Sequence, residues 1–126
     1  MAVSAAHREH WQRRREAEAE AIAQRRLLAE RQADQAAVLL RARWPELRAV
    51  WLFGSVLEPS FSLNSDLDLC VEGLPSDALL EAMEVLDEDL LRDAEPGQYL
   101  PIDLVRLEAL PPHWQQRLRD QARLLE

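Results

Sequence analysis

Ala49-Val50-Trp51-Leu52-Phe53-Gly54-Ser55, ten further residues, and then Asp66-Leu67-Asp68-Leu69-Cys70-Val71 stand at the centre of the chain. Two apolar runs of strand length bracket a polar spacer. The first run ends on a Gly-Ser pair. The second opens on two aspartates at i and i+2. Strand side chains alternate faces with period two, so Asp66 and Asp68 point one way while Leu67, Leu69 and Val71 point the other. Two same-face carboxylates beside a small turn suit Mg²⁺ carried on a nucleoside triphosphate, because Mg²⁺ takes one or two carboxylates plus phosphate oxygens.

The rest of the chain bounds this reading. At 126 residues a single domain is the default. The lone cysteine, Cys70, rules out an internal disulfide framework, and a reducing, cytoplasmic setting is expected. No apolar run reaches bilayer length, and the segment from Met1 to Arg15 lacks the apolar core of a signal peptide, so no membrane partner is expected. All basic residues are arginine. Through Arg48 there are ten arginines against seven acids; from Ala49 onward there are five against sixteen. The motif-bearing part is therefore acidic. That disfavours a nucleic-acid footprint and fits a site that recruits positive charge as metal ions.

Outward from the central stretch, Ser4 to Arg43 reads as one long helix: it holds no Gly or Pro and is rich in Ala, Glu, Gln, Arg and Leu. Ile22, Ala29, Ala33, Ala36 and Leu40 follow helical spacing, whereas the first half is polar. Ser76 is expected to cap a helix from Asp77 to Arg92, with Leu79, Leu80, Met83, Leu86, Leu90 and Leu91 as its buried stripe. A third strand is expected from Tyr99 to Arg106, with Pro101 at an edge. A last helix after Pro111-Pro112 carries Trp114, Leu118, Ala122 and Leu125 on one face, and Trp44, Trp51 and Trp114 are expected in the core or at its edge. The expected class is α/β (α+β): a small mixed sheet flanked by helices, with residues 1–45 as a long N-terminal helix for docking or dimerisation and residues 46–126 as the domain proper.

Asp103, between Ile102 and Leu104 in the third strand, is an acid in an otherwise apolar run. Alone it reads as an edge residue facing water. Beside Asp66 and Asp68 it offers the further carboxylate that a two-metal phosphoryl-transfer site needs, and a group to take the acceptor's proton. With this residue the chain resembles a family. Leu52-Phe53-Gly54-Ser55, the spacer, Ser65-Asp66-Leu67-Asp68-Leu69 and Ile102-Asp103-Leu104-Val105 resemble the nucleotidyltransferase superfamily typified by DNA polymerase beta, and more closely its minimal members, from about Leu47 to the C-terminus.

The resemblance implies that Asp66, Asp68 and Asp103 are catalytic and hold two Mg²⁺ ions. It implies that Gly54, Ser55 and Ser65 line the nucleotide, ATP being the expected substrate, and that an acceptor oxygen attacks the α-phosphorus with release of pyrophosphate. It further implies a helical HEPN-domain toxin as partner, the nucleotidyltransferase acting as antitoxin by adding AMP to a partner hydroxyl. One departure stands out. Relatives carry an arginine soon after Gly-Ser, but here the segment reads Val56-Leu57-Glu58-Pro59, and no arginine occurs from Ala49 to Leu91. Two other readings stay open. One is a non-catalytic module that neutralises its partner by steric contact; the other is a small-molecule nucleotidyltransferase. A homo-oligomer through the N-terminal helix is a further alternative.

Several residues have plain readings. His7 and His10 sit on a solvated helix start. Cys70 has no base beside it and reads as a small buried apolar group. Trp11 is a candidate interface anchor. Ser55 lacks the Gly-x-Ser-x-Gly frame of a hydrolase nucleophile.

Overall fold

A computed structural model describes residues 4–126. Met1–Val3, the start of the expected N-terminal helical segment, lie outside the described residues. The elements run α1 (Ala5–Arg43), β1 (Ala49–Phe53), a 3₁₀ turn (Gly54–Leu57), β2 (Leu67–Glu72), α2 (Leu79–Asp93), β3 (Ile102–Arg106), α3 (Pro112–Gln121) and β4 (Arg123–Leu125). The four strands form one mixed sheet in the order β3-β2-β1-β4. β1 pairs antiparallel with β2 and with β4, while β3 runs parallel to β2. The parallel pair is joined through α2, as a parallel connection requires a crossover.

Both faces of the sheet are covered, which is why β1 and β2 read as near-continuous apolar runs. On one face Val50, Leu52, Leu67, Leu69, Val71 and Leu104 pack beneath α1 and α2. On the other, Ala49, Trp51, Cys70, Leu107 and Leu118 pack beneath α3. Fully burying each of these leucines or valines is worth about 1.5–3 kcal/mol, so the sheet is the stable platform of the chain.

Ser4 caps α1, its hydroxyl accepting the His7 N–H at 3.2 Å. Every residue from Ser4 to Glu20 is exposed. Contact begins beyond it, where Ala29, Ala33, Ala36, Ala37 and Leu40 are fully buried. Four alanines on one stripe let the helix axis approach the domain closely, which larger side chains would prevent.

The structure differs from the sequence expectations at several points. Ser76 starts a 3₁₀ turn (Ser76–Ala78) instead of capping a helix, because the turn led by Pro75 intervenes before α2 begins at Leu79. Leu80 and Leu91 face solvent, at 68% and 56% exposure; the inward stripe is narrower and centres on Ala82, Leu86 and Leu90. β3 begins at Ile102, since Pro101 supplies no N–H for the ladder and its carbonyl accepts from Leu67 N–H. The last helix stops at Gln121. The residues after it form β4, so Leu125 is buried in a strand opposite Val50. Trp114 is half exposed, outside the core. Trp44 and Trp51 are buried as expected.

Candidate functional site

The ends of β1, β2 and β3 bring most of the expected residues together. The register sets Phe53 opposite Asp68 and Asp68 opposite Asp103. Paired residues on neighbouring strands project to the same face, so Asp68 and Asp103 stand side by side on the α3 face, in line with Cys70 and Val105. Gly54 follows directly. Its φ is +82°, and a Cβ placed there would overlap the Asp68 carboxylate. Only glycine lets the chain turn from β1 into the 3₁₀ turn while the backbone passes against that carboxyl group. Asp66 lies one residue before β2 begins, exposed and two positions from Asp68.

Electrostatics mark Asp68 out. Partial burial pushes its carboxyl pKa up from 3.8 to about 6, with the charges of Asp103 and then Asp66 adding to the rise. The group is thus short of positive charge. Among the described residues no three His, Cys, Asp or Glu side chains converge tightly enough to hold a metal ion. What the structure presents is two carboxylates in register with a third flanking them. That donor set fits a hard divalent cation sharing its coordination with phosphate oxygens, and does not form an all-protein cage.

Ser55 sits half-buried at the start of the 3₁₀ turn, its carbonyl accepting from Glu58 N–H. Ser65 is tied into its own loop: its hydroxyl accepts the Ser62 N–H at 3.0 Å, and its carbonyl accepts from Arg25 at 2.8 Å. The Cys70 thiol is fully buried and pushed up to about 12, chiefly by burial, which makes it a poor nucleophile.

Two features escaped the sequence reading. First, α1 holds the loops of the site. Arg26 donates to the carbonyls of Val56 and Glu58 and lies 4.9 Å from the Phe61 ring centroid, fixing the spacer from the far side. Buried Gln32 bonds both the N–H and the carbonyl of Leu100, at 3.0 and 2.7 Å, just upstream of β3. Second, a groove of about 550 Å³ opens between the strand ends and α3. Gly54, Glu58 and Asp103 lie on one wall, and Trp114, Arg117 and Gln121 on the other. The sequence separations, 30 residues for Arg26–Val56 and 68 for Gln32–Leu100, carry no local signal.

No protein-family model and no curated protein matches the chain. Solved structures do. The toxin–antitoxin complex MntA-HepT aligns over 77% of this chain and 71% of its own, at 25% identity and a TM-score of 0.54. A toxin–antitoxin complex with AMP-PNP aligns over 74% and 72%, at 27% identity and a TM-score of 0.57. This chain is similar in structure to MntA-HepT toxin–antitoxin complexes. A MntA-HepT mutant with two aspartate-to-glutamate substitutions two positions apart has a TM-score of 0.56 at 25% identity. At 24% identity the fold alone is shared with a Shewanella oneidensis complex of tri-AMPylated HEPN toxin and MNT antitoxin. The mixed sheet and helices expected for the nucleotidyltransferase resemblance are those of MntA-type chains. No helix among the described residues is long and apolar enough to cross a membrane.

Proposed function

We propose that this chain is a nucleotidyltransferase antitoxin that transfers AMP from ATP to a hydroxyl of a helical HEPN partner. The observation that carries the reading is the juxtaposition of Asp68 and Asp103 in parallel register, against the backbone of Gly54. A partly buried carboxylate, Asp68, with the charges of Asp103 and Asp66 beside it and a glycine turn against it, is an unfavourable arrangement unless a cation and a polyphosphate complete it. The neighbour with AMP-PNP supports nucleotide binding here, and the neighbour with the tri-AMPylated toxin supports the acceptor class.

In this reading Gly54 and Ser55 admit the phosphate chain by close backbone approach and by N–H and hydroxyl donation. Ser65 lines the far end of the spacer. Asp66 and Asp68 would hold magnesium, with Asp103 as the third carboxylate. When bound, the metal neutralises the phosphate oxygens. The acceptor oxygen attacks the α-phosphorus as the bond to the bridging oxygen breaks, and pyrophosphate leaves. Asp103, exposed at the edge strand, is the group on the chain to take the hydroxyl proton, directly or through water.

A steric antitoxin is the second reading. It is favoured by the stretch from Ser4 to Glu20, in which every residue is exposed, Trp11 at 54%. Incubation of the chain and its co-expressed partner with labelled ATP and Mg²⁺ separates the two. Label on the partner that is lost in Asp66→Asn and Asp68→Asn supports the enzyme; full neutralisation with no label supports the steric module.

A further inference from the structure

The segment after Gly54-Ser55 has no cation, so a triphosphate seated there needs positive charge from elsewhere in the fold. The acidic part of the chain, from Ala49 onward, contains five arginines. Four are engaged within the protein. Arg92 pairs with Asp89 at 3.6 Å, Arg119 with Glu72 at 2.9 Å and Arg123 with Glu30 at 3.4 Å, while Arg106 donates to the Leu74 carbonyl at 2.8 Å. Arg117 is different. Among the described residues it makes no ion pair; its polar contact is a long 3.5 Å bond to the Gln121 amide oxygen.

Its placement gives that difference meaning. Arg117 lines the groove that also contains Gly54, Glu58 and Asp103. The groove volume of about 550 Å³ lies in the range of small-molecule sites. The guanidinium carbon sits 5.2 Å from the Trp114 ring centroid, one helical turn earlier on α3. The ring supports the guanidinium by cation–π attraction, while its N–H donors stay available. Arginine's planar fork matches phosphate oxygens bidentately. An unpaired arginine facing two acids across an open groove fits an anionic ligand that brings its own divalent counter-charge to the acidic wall.

We propose that Arg117 supplies, from α3, the phosphate-binding cation missing after Gly54-Ser55, and that the groove between the strand ends and α3 seats the polyphosphate chain of the nucleotide. The inference rests on the nucleotide-binding reading above and assigns it a residue from another element. Arg117 is exposed, so replacing it leaves the fold intact.

Titration calorimetry with Mg·ATP and with Mg·tripolyphosphate tests it, on wild type, Arg117→Gln, Arg117→Lys and the control Arg92→Gln outside the groove. The expected result is a loss of about 10- to 100-fold for both ligands in Arg117→Gln, partial recovery in Arg117→Lys, and no change in Arg92→Gln. Unchanged Mg·ATP affinity in Arg117→Gln overturns the role of Arg117 while leaving the nucleotide reading standing. Weakened ATP binding with unchanged tripolyphosphate binding also overturns it, by moving Arg117 to the nucleoside end. A wild-type chain that binds neither ligand overturns the nucleotide reading itself, and the assignment with it.

Discussion

Gly54 closely abuts Asp68: the glycine backbone, at φ +82°, passes so close to the Asp68 carboxylate that a methyl group would overlap it. Gly54→Ala therefore incurs two penalties. The left-handed backbone costs about 1–2 kcal/mol for a residue with a Cβ, and Asp68 must move off its register with Asp103. We expect a lower melting temperature by thermal denaturation. Because small misplacements of reacting groups cost about 100-fold in rate, nucleotidyl transfer is expected to fall at least that far.

Asp68 also makes the metal-free protein sensitive to pH. Its folded-state pKa, about 6, lies above the ordinary 3.8, so the fold favours the protonated form. The stability linked to this group is fully present below about pH 3.8 and is lost as pH rises through 6. Asp68→Asn should thus stabilise the metal-free protein at pH 7–8, by about 1 kcal/mol after discounting for solvent screening. At pH 4 the gain should nearly vanish. Urea denaturation of both proteins in EDTA at the two pH values checks the sign; an equal effect at both removes the linkage.

The first turns of α1 and the buried end of α1 should behave differently. Gln32→Leu leaves the N–H and carbonyl of fully buried Leu100 without their partner, at about 1–3 kcal/mol for each unsatisfied group. Chemical denaturation should show this loss, and amide exchange should quicken near Leu100.

Removing residues 1–20 should leave stability within about 0.5 kcal/mol of the full chain, since every described residue there is exposed. If this arm docks the partner, affinity for the partner falls while Mg·ATP binding is retained. Calorimetry on the truncated chain reads both; unchanged partner affinity removes the docking role.

The sequence carried a good part of this arrangement because its decisive signals are local. The Leu67–Glu72 run is β2, with Asp66 just ahead of it instead of opening the strand, the Ala49–Phe53 run is β1 as it stands, and the absence of Gly and Pro from Ser4 to Arg43 yields α1 in full. Other features depend on packing. The residues after Gln121 look helical by spacing, yet they close the sheet as β4, because the free edge of β1 offers Val50–Leu52 for pairing. Trp114 reads as core or core edge by type, and it lies half exposed in a groove with Arg117 over its ring. The contacts of Arg25 and Arg26 with the spacer span 30 to 40 residues, so a segment without a cation of its own gives no sign of the arginines that hold it.

In the proposed function the carboxylates around Gly54 transfer AMP to a partner. Intact mass measurement of a helical HEPN partner, co-expressed with wild type or with Asp68→Asn, tests it most directly. Partner molecules heavier by whole AMP units are expected with wild type, and unmodified partner with Asp68→Asn at equal expression. An unmodified partner that is nevertheless neutralised by wild type, or AMP addition that persists in Asp68→Asn, would contradict it.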